Sequence, residues 1–218
     1  MKPKQFAVLG IGRFGQSLIR ELVRMGYEVL AVDVDADLVQ DAIEYSTHAV
    51  QADAMEESVL KALGINNFDA VIVAIGENIQ SNILTTILLK EMGVKKVVAK
   101  AGNAMHGKVL EKIGADLVIY PERDMAIKLA RSLTSQNFLE QITLSTDYSI
   151  IEITVPRSFV NKNLRQIGLR PKMNVTILAI RRGDEIMVVP GPDQDMTTGD
   201  VLVVLGHNRD LDALSDID

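Results

Sequence analysis

Phe6-Ala7-Val8-Leu9-Gly10-Ile11-Gly12-Arg13-Phe14-Gly15 is the stretch from which the rest of the chain can be read. An apolar run of strand formers passes directly into Gly-x-Gly-x-x-Gly, and a helix-period pattern follows without a break. In that motif Gly10 permits a tight turn, Gly12 lets backbone approach a phosphate, and Gly15 lets the new helix lie close to the strand. The helix then points unpaired N–H groups and the positive end of its dipole at the loop, which makes an anion site. Arg13 sits inside the motif and adds a full positive charge, which favours a phosphate-rich ligand.

Outward from this loop, one unit repeats: a short apolar strand, an amphipathic helix, and a glycine where the helix stops. The stops read Met25-Gly26, Leu63-Gly64, Met92-Gly93 and Ile113-Gly114, where glycine suits the left-handed position that ends a helix. The strands read Val29 to Val32, Ala49 to Gln51, Ala70 to Ala74, Lys96 to Ala99 and Leu117 to Tyr120. Most are apolar throughout rather than alternating, as parallel strands covered on both faces are. The expected fold is therefore α/β, a Rossmann-like doubly wound parallel sheet that binds ligands at the carboxyl ends of its strands. From Pro121 a helix pattern extends to about Phe138, with Met125, Leu129 and Leu133 on one stripe. It reads either as a last helix on the sheet or as a connector between domains or subunits.

Beyond about Glu140 the pattern changes. Tyr148 to Val155 alternates, and Thr176 to Ile180, Ile186 to Val189 and Val201 to Leu205 follow as strands, with turn signals at Arg182-Gly183-Asp184 and Pro190-Gly191-Pro192-Asp193. Leu164 to Gly168 reads as a short helical turn. The expected domains are residues 1–138, nucleotide-binding, and residues 139–218, a small α+β lobe.

The composition narrows the function. A hydrophobic content of 47% and a charged content of 24% are those of a globular chain able to bury a core. A formal charge of -6 argues against a nucleic-acid partner. The absence of cysteine excludes disulfides, thiolate metal sites and thiol nucleophiles. With no signal-peptide pattern at the start and no run near ~18 apolar residues, the expected location is cytoplasmic.

Asp33 closes the second strand about 20 residues past the glycine loop, where a carboxylate holds ribose hydroxyls and repels a 2′-phosphate. Asp35 is a second ribose contact or a helix N-cap. Asp53, in Ala52-Asp53-Ala54, either meets an adenine amine or caps a helix beginning near Met55. Ile75-Gly76-Glu77 and Lys100-Ala101-Gly102 close later strands, with Gly76 allowing close backbone approach and Lys100 adding a cation. His106 contacts the nucleotide or caps a helix. Glu122 sits in the first turn of the helix from Pro121, where dipole complementation is the favoured reading of an acid and a hard-cation ligand the other. Only His48, His106 and His207 are present, and no Ser-His-Asp set or metal-binding His pair can be assembled, so the chain does not read as an enzyme.

Together, Ala7 to Gly15, Val32-Asp33, Ala52-Asp53-Ala54 and Tyr120-Pro121-Glu122-Arg123-Asp124-Met125-Ala126 closely resemble the Ktr/Trk potassium-uptake regulatory subunits, which are built from RCK domains. The C-terminal part resembles the second lobe of that family through Leu164 to Arg170, Val175 to Arg182 and Gly199 to Gly206. One N-lobe and one C-lobe match the Ktr arrangement. The resemblance implies a peripheral protein on the inner face of the cell membrane, an octameric ring of dimers docked on a membrane potassium-translocating subunit. It further implies ATP and ADP competing for the N-lobe crevice, which also takes NAD(H). Carried over by position, Gly10, Gly12, Arg13, Phe14 and Gly15 hold the phosphates, with Arg13 on the terminal one, from the same subunit or its dimer mate. Asp33, Val34 and Asp35 hold the ribose and Asp53 with Ala54 the adenine, while Ile75, Gly76, Glu77, Lys100, Ala101, Gly102 and His106 line the rest. Glu122 then binds a divalent cation or sodium between two nucleotides, a reading the resemblance raises above dipole complementation. Relatives also bind cyclic di-AMP in the second lobe, for which Leu164, Leu169, Arg170, Thr176, Pro190 and Pro192 are the positional candidates. Asn161 departs from a glycine common there, but asparagine tolerates left-handed backbone. The alternative function is an NAD(H)-binding dehydrogenase or redox-sensing module.

Overall fold

A computed structural model describes residues 4–134 and 138–217. The chain divides into two compact units, the first reaching to Asp124 and the second starting at Met125.

In the first unit the elements alternate strictly. They are β1 (Gln5–Leu9), α1 (Arg13–Arg24), β2 (Glu28–Asp33), α2 (Ala36–Ala42), β3 (His48–Gln51), α3 (Glu57–Ala62), β4 (Ala70–Val73), α4 (Ile79–Glu91), β5 (Val97–Lys100), α5 (Ala104–Lys112) and β6 (Leu117–Ile119). α6 (Pro121–Thr134) starts in this unit. The sheet is parallel throughout, in the order β3-β2-β1-β4-β5-β6. This is the doubly wound order, in which the direction of winding reverses between β1 and β4.

The continuous apolar strands have the expected cause. Ala7 and Leu9 belong to the core cluster that takes in Leu60 of α3, Leu89 of α4 and Leu110 of α5. Val8, between them, belongs to the other, with Ile19 of α1 and Val39 of α2. Successive residues of one strand thus bury on opposite faces, and each fully buried leucine contributes about 2 kcal/mol. The helix stops hold as well, since Gly26, Gly64, Gly93 and Gly114 have φ of +85°, +64°, +73° and +94°.

The second unit is antiparallel. It contains β7 (Phe138–Thr143), β8 (Tyr148–Thr154), α7 (Leu164–Ile167), α8 (Leu169–Met173), β9 (Thr176–Arg182), β10 (Glu185–Val188), β11 (Val201–His207) and α9 (Asn208–Ser215). The sheet order is β10-β9-β11-β8-β7. Ile151, Ile153, Ile180, Leu202 and Val204 form its core with Leu211 and Leu214 of α9. Asn161 has φ +62°, so the asparagine holds the left-handed turn expected of it.

One boundary differs from the sequence reading. The apolar stripe extends the α6 pattern to about Phe138, whereas α6 is helical to Thr134 and Phe138 opens a strand. The stretch Ser135 to Asn137 lies outside the described residues. From Phe138 onward, pairing with β8 decides the backbone: Gln141 faces Ile151 and Ile142 faces Ile150. That long-range pairing leaves no local mark in the sequence.

A polar knot secures the small lobe. Buried Asp200 accepts from Arg182 Nε at 2.8 Å and Nη2 at 2.7 Å, and from Thr197 N at 2.8 Å and Oγ1 at 2.9 Å. The Arg182 hydrogen bonds hold its carboxyl below the usual aspartate value of 3.8. A depressed carboxyl stabilises the fold above the unfolded value and loses that contribution as pH falls through the folded one. Asp200→Asn should therefore cost about 2 kcal/mol at neutral pH and lessen the acid sensitivity of the lobe. Denaturant unfolding at neutral and acidic pH, with hydrogen exchange of β9 and β11 amides, measures both.

Candidate functional site

The register of the sheet brings one rim together. Leu9 pairs with Val32 and with Val73, Asp33 with Gln51, and Lys100 with Ile119. The strand ends carrying Gly10, Asp33, Ile75, Lys100 and Tyr120 therefore open onto the same edge, with the switch between β1 and β4 at its middle.

The three loop glycines do separate work there. Gly10 has φ +102°, and an added Cβ would lie 2.8 Å from Ile75 N, so the loop rests on the end of β4. At Gly15 an added Cβ would collide with the Gly10 carbonyl oxygen, so α1 packs directly on the loop. Gly12, the N-cap of α1, is the open one: nothing among the described residues lies within 4 Å of an added Cβ. Arg13 follows it, exposed, as the first helical residue. A loop that is closed below and open above, at a helix N-terminus, can seat a phosphate on backbone N–H groups.

The Asp33 carboxylate fixes this loop. It accepts from Ile11 N at 2.5 Å through Oδ2 and from Asp35 N at 3.0 Å through Oδ1. Each oxygen keeps a second lone pair, so the group can still accept from ribose hydroxyls. Val34 is exposed beside it. Asp35 is the N-cap of α2, accepting from Asp37 N at 2.9 Å and Leu38 N at 3.4 Å, so its capping reading is the one formed here.

Asp53 does not cap a helix beginning near Met55. It accepts from Met55 N at 2.8 Å within a turn, and α3 starts at Glu57 behind Glu56. Ala54 and Ala101 are buried core residues, which leaves only their backbone for a ligand. Gly76, Glu77 and Gly102 are exposed, and Ile75 is half-buried.

His106 adjoins the Gly102 end of the rim and is buried. It stands in the first turn of α5, behind the N-cap Asn103. Its Nδ1 accepts from Gly102 N at 3.3 Å, and its Nε2 is buried without a hydrogen-bond partner. It caps nothing, and burial pushes the imidazole below its ordinary value of 6.5.

The charged part of the rim is Lys100, Glu122 and Arg13. Lys100 Nζ lies 2.7 Å from Glu122 Oε1. The Lys100 hydrogen bond, with a smaller contribution from Arg13, holds the Glu122 carboxyl below the usual glutamate value. Among the described residues no group of three His, Asp or Glu gathers to hold a metal ion. Glu122 alone is one ligand of the six to eight a hard cation takes.

Sequence reasoning missed Asn82. Fully buried in α4, it donates through Nδ2 to Ile75 O at 2.7 Å and Lys100 O at 3.1 Å, tying the carboxyl ends of β4 and β5 together. An amide directly before Ile83-Leu84, one turn past Asn78, was the available signal.

In the second unit, Leu169 is a core residue and Leu164 packs against that core. Leu164 N donates to Gln194 O at 3.1 Å and Arg165 N to Pro192 O at 2.8 Å, which brings Leu164 and Pro192 together. Arg170 and Thr176 are exposed on α8 and at the start of β9, and Pro190 is half-buried.

A Rossmann-like parallel lobe followed by a small antiparallel lobe is the architecture of RCK regulatory domains. Residues 6–121 match the TrkA-N domain and residues 149–217 the TrkA-C domain. The chain is 49% identical over 211 residues to the Ktr system potassium uptake protein A of Bacillus subtilis (strain 168), covering 97% of this chain and 95% of that one. It is similar in fold to the GsuK RCK domain, with a TM-score of 0.67 at 20% identity over 98% of this chain and 47% of that one. The GsuK channel bound to NAD gives a TM-score of 0.67 at 20% identity over 96% and 38%. The chain spans less than half the length of either GsuK chain. It belongs to the Ktr/Trk family of potassium uptake proteins.

His106 supplies a direct test of the buried rim. Its folded value lies below 6.5, so the unfolded chain binds a proton that the folded one refuses, and stability falls as pH drops below 6.5. His106→Asn keeps an acceptor for Gly102 N but takes up no proton. Thermal unfolding between pH 5 and 8 should show a shallower pH dependence in the variant, by up to about 1.4 kcal/mol per pH unit.

Proposed function

We propose that this chain is a non-enzymatic regulatory subunit of a Ktr-type potassium uptake system, switched by ATP and ADP bound in the crevice of its first lobe. The observation that carries the reading is the meeting, at one switch point, of an open Gly12 loop with two cations, Arg13 and Lys100. Backbone N–H groups at the start of α1 receive the phosphates, Arg13 meets the terminal one, Asp33 and Asp35 take the ribose, and the Asp53 turn takes the adenine. Among the described residues no helix is long and apolar enough to cross a membrane. A membrane potassium-translocating subunit is accordingly a partner protein in this reading.

The same geometry asks for a second copy. Glu122 supplies a single carboxylate, so a divalent cation or sodium ion there completes its shell with phosphate oxygens, water and the Glu122 of a dimer mate. Dimers assembled into an octameric ring then convert the γ-phosphate and its cation into ring shape. ATP shifts that shape only by its differential affinity for the two forms. Cyclic di-AMP at the second lobe, near the Leu164–Pro192 junction, is a second input.

Arg13→Ala should weaken ATP at least tenfold more than adenosine, because a charge-assisted contact to the terminal phosphate is lost and the nucleoside never made it. Calorimetry on the purified chain reads this, and equal losses for both ligands would sink the role of Arg13. Tight NADH binding with none for ATP would instead favour the redox-sensing alternative.

A further inference from the structure

We propose that Lys100 is a shared cation: Glu122 holds it when the glycine loop carries no anion, and the phosphates of a bound nucleotide take it away. Phosphate binding would thereby free the Glu122 carboxylate. The proposal rests on the nucleotide reading of the crevice given above and adds to it a device by which that site weighs phosphate charge.

The lysine stands at the junction of three elements. Its Nζ is 2.7 Å from Glu122 Oε1 in the first turn of α6, and 5.9 Å from the centre of the Phe14 ring in the first turn of α1. An added Cβ on Gly76, just past β4, would lie 3.3 Å from it. It therefore borders the loop whose open side is Gly12. The pair is also unequal, with side-chain exposures of 13% for Lys100 and 69% for Glu122. The ammonium is fixed near the rim, whereas its carboxylate partner sits mostly in water, where ion pairs are weak.

Lysine suits such an exchange. It is a point charge with three donors on a flexible stem, not a planar fork committed to one carboxylate. A polyphosphate carries more charge than Glu122 and is held by the loop as well, so it wins the lysine; a nucleoside carries none and does not. Competition by Glu122 lowers the apparent affinity for phosphates by the fraction of time Lys100 is occupied. Once released, Glu122 faces anions and favours a cation. By linkage, cation and phosphate then strengthen each other's binding by the same factor.

The test uses the full chain in a chelator at low ionic strength, with adenosine, ADP and ATP titrated by calorimetry. Glu122→Gln removes the competitor from an exposed position, so the fold is not at stake. It should tighten ATP about fivefold and leave adenosine unchanged. Lys100→Gln should weaken ATP, and adding Glu122→Gln to it should recover nothing. Adenosine binding normally while Glu122→Gln leaves ATP unchanged or weaker would overturn the exchange and spare the nucleotide reading. Failure of the unaltered chain to bind either ligand would overturn both.

Discussion

Gly15 lies on the carbonyl oxygen of Gly10 with no room for a side chain between them. That contact sets how closely α1 approaches the sheet, and the rest of the first lobe depends on it. With α1 seated there, Gly10 is pressed on the end of β4 and Gly12 is left facing open space. A larger residue at Gly15 would lift the helix and turn its N–H groups away from the crevice. Two side-chain ties reinforce the geometry. Asp33 binds the loop to β2 through Ile11 N, and Asn82 binds β4 to β5 through Ile75 O and Lys100 O. Both are polar groups bonded to backbone, and breaking one would leave buried partners unsatisfied at about 1–3 kcal/mol.

The same distinction explains what the sequence could tell and what it could not. The parallel sheet was legible because its causes are local: unbroken apolar runs, glycine stops and a glycine loop all occupy short windows. Asn161 belongs with these, since its side chain tolerates the φ of +62° that the turn requires. β7 was not legible, because Gln141 and Ile142 become strand only by lying against Ile151 and Ile150. The burial of His106 was not legible for a related reason. A histidine after a strand end reads as a ligand contact or a cap, and at the third position of α5 it is buried with Nδ1 accepting from Gly102 N, a burial that no local pattern announces. Asp35 and Asp53 show the limit from the other side. A short acid near a strand end can serve a ligand or a backbone N–H, and sequence spacing is the same for both.

The two lobes meet the demand for stability differently. The first buries apolar side chains on both faces of its sheet, from Leu9 and Leu60 on one to Val8 and Ile19 on the other. The second has one apolar core and leaves β10 exposed along its whole length. With less surface to bury, it relies on polar closure. Asp200 gathers Arg182 and the Thr197 turn, and Asn163 with Gln166 forms a capping box on α7. Small domains gain proportionally less from burial, so such fixed hydrogen bonds carry more of their specificity.

Backbone amides at a helix start accept any phosphate that reaches them, and they do so with little regard for how many phosphates follow. Discrimination by phosphate number needs charge that responds to the ligand. On this rim, Arg13 is exposed at the first turn of α1, and Lys100 is held half-buried against the largely solvated Glu122. A cation locked in a buried bidentate pair would be costly to release, and one free in solvent would be screened. Lys100 avoids both extremes: its position is restrained by β5 and Phe14 while its partner is weakened by water. The chain carries an overall charge of -6, so the two cations act against a repulsive background. In the proposed nucleotide reading, that background would disfavour a polyanion except where the helix start, Arg13 and Lys100 act together, so their joint placement, rather than the glycine motif alone, would be the source of selectivity.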